Sequence, residues 1–374
     1  MMPTIEASAQ EQCGRPLRIL HVVESLGSGV TTALEGYIRN TPGHVHTVLA
    51  WRRDGAHTGD ALHRLAAAVL TLPPGRLAQL RSVRRHVEEL RPDVVHAHSS
   101  YAGFYVRLLR RRPGRSLVFT PHCFSFERRD VSAALRGVFW LIEALLSLRG
   151  ACVAAVGPRE ARLAERLPGR QLVLYVPNVA DDLQLTGSPP RRRTRETGRL
   201  RAAAMGRISA QKGPGFFGSA ASLSQQLGLP IDWVWVGGGD PEDEQALREA
   251  GVQVTGWSSR SAALGWLSTA DVYVHTAAWE GAPMSVLEAA ALNLPILARR
   301  SAALEALGLE PLYDTPEAIV SATEALSDER HREHLRACSQ RLLERHGRDA
   351  QRRTLEQVYA VAAEAGSMER SRQR

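Results

Sequence analysis

Four charged residues in the second half of the chain have the types and spacing to hold an anionic, hydroxyl-bearing ligand: Arg207, Lys212, Glu280 and Glu288. Lys212 is the only lysine among 47 basic residues, the other 46 being arginine. An ammonium is a compact point charge that can approach one phosphate oxygen, whereas a guanidinium offers a planar fork, which Arg207 could supply. Together they would neutralise a diphosphate; taken alone, the same spacing also fits a solvated basic loop. Glu280 lies in a predicted loop and Glu288 about two turns inside the helix that follows, more than about 7 Å further along its axis. Such a pair is badly placed to share one proton and well placed to accept hydrogen bonds from hydroxyls at two ends of a ligand. The alternative is a helix-capping carboxylate at Glu280 and a surface glutamate at Glu288. Pro283 suits the first turn of that helix, so the amides of Met284 and Ser285 would form an anion site.

The elements that must position these residues are legible as alternating apolar runs and helical stretches. In the first half, predicted strands are Leu17 to Val23, Thr47 to Trp51, Val69 to Leu72, Asp93 to His98, Leu117 to Thr120, Cys152 to Val156 and Leu172 to Val176. In the second they are Leu200 to Met205, Ile231 to Val236, Val252 to Thr255, Val272 to Thr276 and Pro295 to Ala298, with helices at Gly215 to Leu227 and Pro283 to Leu292. This alternation predicts parallel sheets covered by helices on both faces. Gly27, Ser28 and Gly29 follow the first strand as a glycine turn before a helix from Thr31 to Arg39, a geometry for approaching a phosphate or sugar, or simply a tight turn. A dinucleotide fingerprint would need a third glycine where the chain has Thr32. His96 and His98 read as a polar strand end rather than metal ligands, because no carboxylate or cysteine stands near them in sequence. His122 is placed at the C-terminal edge of the first sheet, where a ligand cleft would lie.

With 374 residues, the chain is comfortable for two domains. The expected boundaries are a disordered tail at 1–15, an N-terminal domain at 16–185, a linker at 186–198 rich in Gly, Ser, Pro and Arg, and a C-terminal domain at 199–345. A helix at 346–365 packs back on the first domain, and a disordered basic tail covers 366–374. Two or three helices are predicted between Pro316 and Ala365. The net charge of +8 points to an anionic partner without choosing among nucleotide, nucleic acid and lipid. No aromatic-and-basic strand motif or helix-turn-helix signal supports nucleic acid. The four cysteines lack C-x-x-C spacing and fit a reducing cytoplasm. The start has no apolar signal region, and the most apolar stretch, Val138 to Leu148, is about half the ~20 residues of a membrane span. The arginine-rich segment from Arg107 to Arg115 beside the helical stretch Val131 to Leu148 reads as a solvated surface or as a peripheral contact with the inner face of a membrane.

The motifs G-R-I-S-A-Q-K-G at 206–213, V-G-G-G at 236–239, Y-V-P-N at 175–178 and A-D-V-Y-V-H-T-A-A-W-E-G-A-P-M-S-V-L-E-A-A-A-L-N-L-P at 270–295 resemble retaining glycosyltransferases of family 4. That resemblance implies the GT-B fold, α/β with two Rossmann-like doubly wound domains facing a central cleft. It also implies transfer of a hexose from a nucleotide diphosphate sugar, UDP- or GDP-linked, to an acceptor hydroxyl with retention. The acceptor would be a glycan, a lipid-linked sugar or a small molecule, in glycan, polysaccharide or glycolipid biosynthesis. By the same resemblance Arg207 and Lys212 hold the donor diphosphate, Glu288 the ribose and Glu280 the transferred sugar. The amides of Gly281, Ala282, Pro283, Met284 and Ser285 form the segment for the distal phosphate, and Gly237, Gly238 and Trp257 lie by the base. Gly27, Ser28 and Gly29 close over the phosphates, and His122 faces the reacting sugar. The first glycine loop, G-S-G-V-T-T, and A-R-R-S-A-A-L-E after Leu297 depart from the family pattern.

No metal or cofactor is expected, since two cations can stabilise the leaving diphosphate. Neither Asp181 with Asp182 nor Asp240 with Asp243 has the setting of a metal-binding Asp-x-Asp pair. Other readings of the same residues are a GT-B epimerase or hydrolase and a non-enzymatic nucleotide-sugar-binding protein.

Overall fold

The computed structural model describes residues 15–52, 60–108, 116–180, 183 and 198–372. Residues 1–14 of the expected tail at 1–15, residues 186–197 of the expected linker at 186–198, and most of the arginine-rich segment, 109–115, lie outside the described residues. The chain divides into two compact units. Residues 1–126, 134–177 and 348–374 form the first, and residues 127–133 and 178–347 the second.

The first unit carries strands β1 (Arg18–Leu26), β2 (Val45–Arg52), β3 (Ala68–Thr71), β4 (Val94–His98), β5 (Leu117–Thr120), β6 (Cys152–Ala155) and β7 (Leu172–Tyr175). Between them run helices α1 (Ser28–Asn40), α2 (Asp60–Leu65), α3 (Arg76–Leu90), α4 (Ser99–Leu108), α5 (Ala133–Ser147) and α6 (Pro158–Glu165). The strands pair in parallel in the order β3-β2-β1-β4-β5-β6-β7. Because a parallel sheet is buried on both faces, its central strands are near-continuous apolar runs, and every residue of β4 and β5 is buried.

The second unit repeats the plan with β8 (Leu200–Met205), α7 (Pro214–Gln226), β9 (Ile231–Val236), α8 (Pro241–Glu249), β10 (Gln253–Val254), α9 (Arg260–Leu267), β11 (Val272–His275) and α10 (Met284–Ala291). It continues through β12 (Ile296–Arg299), α11 (Ala302–Leu307), β13 (Leu312–Tyr313), α12 (Pro316–Glu324) and α13 (Glu329–Glu344). The sheet order is β10-β9-β8-β11-β12-β13, again parallel. The last helix, α14 (Arg348–Arg372), belongs to the first unit, where Leu355, Val358, Tyr359 and Ala362 pack against one face of its sheet.

Three expectations are corrected. Ser28 and Gly29 form the first turn of α1 rather than a turn before it. Gly27 has φ 168°, an extended conformation open to any residue, so backbone freedom does not explain that glycine. The helix α14 continues to Arg372, through Met368, Glu369 and Arg370, where a disordered tail was expected from 366. These are residues of good helix propensity. Arg107 is not a surface charge: it is buried, pairs with Glu143 of α5 at 2.8 Å and lies 4.2 Å from the centre of the Phe119 ring. Glu143 thus interrupts the apolar run of α5 in order to neutralise a buried guanidinium.

Candidate active site

In the second unit the loops after β8 and β9 are stitched together at the C-terminal edge of the sheet. Gly206 N–H donates to the Val236 carbonyl, Ile208 N–H to the Gly238 carbonyl, and Trp235 Nε1–H to the Gly206 carbonyl. A Cβ at Gly237 (φ 140°) would stand 2.2 Å from the Gly206 carbonyl oxygen, so only glycine permits this crossing. Lys212 ends a 3-10 turn, Ala210–Lys212, and is followed by Gly213 at φ 68°. A Cβ at Gly213 would lie 2.3 Å from the Thr276 carbonyl oxygen. Thr276 Oγ1–H donates to the Lys212 carbonyl and Ala278 N–H to the Gln211 carbonyl. The basic loop is therefore fastened to the end of β11, whose continuation carries Glu280.

That fastening brings Lys212 and Glu280 into a direct ion pair, and Gln211 Nε2–H donates to the Trp279 carbonyl at 3.2 Å. Arg207 is exposed on the same loop. Trp257 is exposed beside Gly238, close enough that a Cβ there would lie 2.8 Å from its ring.

The helix α10 opens at Met284 with Pro283 as its cap, and the first turn bond runs from Val286 N–H to the Pro283 carbonyl. The amides of Met284 and Ser285 precede that bond. Gly281 to Ser285 are buried, and Asn178 Nδ2–H donates to the Ala282 carbonyl at 2.9 Å. Glu288 is no surface glutamate: it is 5% exposed. Arg260 of α9 donates to its Oε1 through Nη2 at 2.8 Å and through Nε at 3.1 Å. Burial pushes the Glu288 carboxyl above its ordinary value, and Arg260 and Lys212 oppose that rise. Arg260 escaped the sequence reading because nothing in S-S-R-S marks it. Its partner is 28 positions away.

In the first unit, His122 follows β5 at the C-terminal edge of the sheet. It and Cys123 adopt φ 51° and 88°, positive values that side chains rarely take. The turn is held by Glu160 of α6, which accepts from Cys123 N–H at 2.7 Å and from Val156 N–H at 3.0 Å. His96 and His98 end β4 as expected, but as fully buried rings rather than a polar terminus. With His21 of β1 they bring ring nitrogens within 4.8 Å of one another, a spacing that could hold a metal ion. All six of these nitrogens already have protein hydrogen-bond partners: His46, His122, Tyr359, Thr120 and the His21 to His98 contact itself. A metal would have to displace those bonds. The signal that could have found this cluster is a histidine inside each of three neighbouring apolar strands.

Residues 28–179 match the glycosyl transferase 4-like domain, and residues 199–329 the glycosyl transferases group 1 domain. An Escherichia coli UDP-Gal:alpha-D-GlcNAc-diphosphoundecaprenol alpha-1,3-galactosyltransferase is 27% identical over 237 residues, 59% of this chain and 61% of that protein. An uncharacterized 41.2 kDa protein in the cps region of Klebsiella pneumoniae is 21% identical over 312 residues, 77% of this chain and 82% of that one. Among solved structures, Anabaena HepE in complex with UDP-glucose superposes with a TM-score of 0.70 at 16% identity, over 94% of this chain and 100% of that one. WaaG, a glycosyltransferase involved in lipopolysaccharide biosynthesis, gives 0.62 at 16%, over 94% and 99%. The chain is a glycosyltransferase of GT-B fold, related to the glycosyl transferase 4-like domains.

Proposed function

We propose that the protein is a retaining glycosyltransferase of family 4 that moves a hexose from a nucleotide diphosphate sugar, UDP-linked, to an acceptor hydroxyl in polysaccharide or glycolipid assembly. The observation that carries this reading is the Lys212–Glu280 pair, fixed by the glycine-dependent loop and set before the α10 start. A donor diphosphate would take Lys212 from Glu280, with Arg207 as its second cation. Glu280, so released, would accept hydrogen bonds from the sugar. The amides of Gly281 to Ser285 would receive the distal phosphate, excepting Pro283, which has no N–H to donate. Glu288, anchored by Arg260, would take the ribose hydroxyls, and Gly237, Gly238 and Trp257 would flank the base. Charge leaving on the diphosphate is then stabilised by fixed cations, which is where most of the acceleration arises in such sites. UDP is favoured among the bases because the UDP-galactose transferase of E. coli shows 27% identity.

A cytoplasmic enzyme resting on a membrane surface fits the exposed face of α5, where Val138, Leu141 and Leu145 are each at least half exposed, as is Leu148 just after the helix. No helix among the described residues is long and apolar enough to cross a membrane.

The test is a thermal-shift screen with UDP, GDP, ADP and TDP on wild type beside Lys212→Ala. UDP is expected to raise the wild-type melting temperature and to do so less in the variant. In a transfer assay the variant should lose about a hundredfold to a thousandfold in turnover, more than it loses in donor affinity. Near wild-type turnover would overturn the diphosphate assignment, and retention is read from the anomeric configuration of the product.

A further inference from the structure

Four buried or half-buried histidines of the first unit form one hydrogen-bonded file. His46 Nε2 lies 3.0 Å from the Thr41 carbonyl oxygen, and His46 Nδ1 lies 2.9 Å from His21 Nε2. His21 Nδ1 lies 3.0 Å from His98 Nε2, and His98 Nδ1 lies 3.1 Å from His122 Nε2. The register explains the file. His46 pairs with Ile19, two residues before His21, and His98 pairs with Val23, two residues after it. His98 also pairs with Thr120, two residues before His122. Each step crosses to the neighbouring strand, in the order β2, β1, β4, β5, and climbs two residues toward the C-terminal edge. Side chains two apart share a face, so the rings meet along a diagonal of one face of the sheet.

The file has a direction. A carbonyl oxygen can only accept, and Thr41 Oγ1, 3.2 Å from the same nitrogen, gives its own proton to the Tyr37 carbonyl at 2.7 Å, so His46 carries its proton on Nε2. In a neutral ring the other nitrogen is then an acceptor, and His46 Nδ1 takes the proton of His21 Nε2. The same argument passes to His98 and then to His122. Burial holds all four rings neutral: His46 is pushed down to about 4 and His122 to about 3, and His21 and His98 well below the ordinary histidine value. Each of the four therefore donates from Nε2 and accepts at Nδ1. His122, only half-buried, is the end that reaches the surface.

We propose that this file fixes the tautomer of His122, so that the ring presents a bare Nδ1 that accepts a hydrogen bond from a ligand hydroxyl and discriminates against an anionic oxygen at that position. His46, His21 and His98 are positioning residues in this scheme, acting through His122. Naming the hydroxyl as one on a sugar rests on the proposed function; the tautomer does not.

The experiment is a long-range proton–nitrogen correlation spectrum of ¹⁵N-histidine-labelled, ligand-free protein, with His122 assigned by its loss in His122→Gln. The expected result is a protonated Nε2 and a bare Nδ1 in all four rings. In His46→Phe, which removes the anchor to Thr41, His122 should become a mixture of tautomers. His46→Gln, whose amide can donate to the carbonyl while its oxygen accepts from His21, should restore the single form. A proton on Nδ1 of His122 in wild type overturns the proposal, as does an unchanged His122 in His46→Phe. If that variant does not fold, the wild-type spectrum and His46→Gln still decide. A stoichiometric metal ion in the purified protein, held by His21, His96 and His98, also overturns it, because His21 Nδ1 and His98 Nε2 could not then share a proton. These spectra need no donor, so a failed nucleotide screen with the expected tautomers strikes the transferase reading alone.

Discussion

The two sheets carry polar clusters of opposite kinds on their edges. In the second unit the cluster is ionic: Lys212 with Glu280 and Arg260 with Glu288, each cation meeting a carboxylate across a loop or a helix start. In the first it is a file of neutral imidazoles with no carboxylate among them. The difference follows from how each is made affordable in a protein interior. A buried charge must be paired, and pairs of long side chains can reach across loops. An imidazole can instead shed its charge and be satisfied on both nitrogens by neighbours one strand away.

The largest expected consequence is an unequal response to acid. His21, His46, His96, His98 and His122 all have folded-state values below the ordinary 6.5. The unfolded chain then binds protons that the folded chain refuses, so their stabilisation is present above about pH 6.5 and is lost as pH falls toward the folded values. Each such ring costs about 1.4 kcal/mol per pH unit in that window. In the second unit His275 behaves alike, pushed down to about 3, but Glu288 is raised by burial and works the other way. Hydrogen exchange followed from pH 7.5 to 5 should show β1, β2 and β4 losing protection before β8, β9 and β11. The reverse order would break the comparison.

A smaller effect sharpens it. Arg260→Ala leaves Glu288 buried without its main partner, at a cost of about 1–2 kcal/mol at neutral pH. The figure stays below that of a fully buried pair because the Arg260 side chain is 37% exposed. Since the Glu288 value is already raised and rises further in the variant, the deficit should shrink as pH falls toward the carboxylate range, where both states are neutral. Urea denaturation at two pH values checks this. A deficit that grows in acid would place the loss in packing rather than charge.

The same contrast explains what was legible in the sequence. Strands β5, β8 and β9 match their apolar runs residue for residue, because buried parallel strands leave an uninterrupted signal. The element β13 has only two residues and α11 six, too short for any period to show. Lys212, Glu280 and Glu288 stand out in the sequence because charge is rare at an α/β edge and each sits in a short motif of its own loop or helix, although Lys212 and Glu280 are 68 positions apart. Arg260 does not, since its partner is 28 positions away on another helix and only the fold brings the two together. The histidine file was invisible for a further reason. Its members are 25, 77 and 24 positions apart in sequence, and only the strand order β2-β1-β4-β5 makes them adjacent.

The smallest expected effect concerns a short polar contact within the second unit that looks like the file but lacks its anchor. Tyr273 OH donates to Ser285 Oγ at 2.7 Å and meets His275 Nδ1 at 3.2 Å. His275 Nε2 is buried with no hydrogen-bond partner. No carbonyl fixes a proton on the His275 ring, so that ring can take either tautomer and no direction is imposed on it. Tyr273→Phe removes the contacts to both Ser285 and His275, neutral hydrogen bonds worth about 1 kcal/mol or less each, and should leave the His275 tautomer unsettled. Removing Thr41 from His46 has no such latitude, because every ring beyond it inherits the direction. A Tyr273→Phe loss several times larger, with a change in the His275 tautomer by the same spectrum, would show that the second unit also holds a directed chain and would erase the distinction between the two edges.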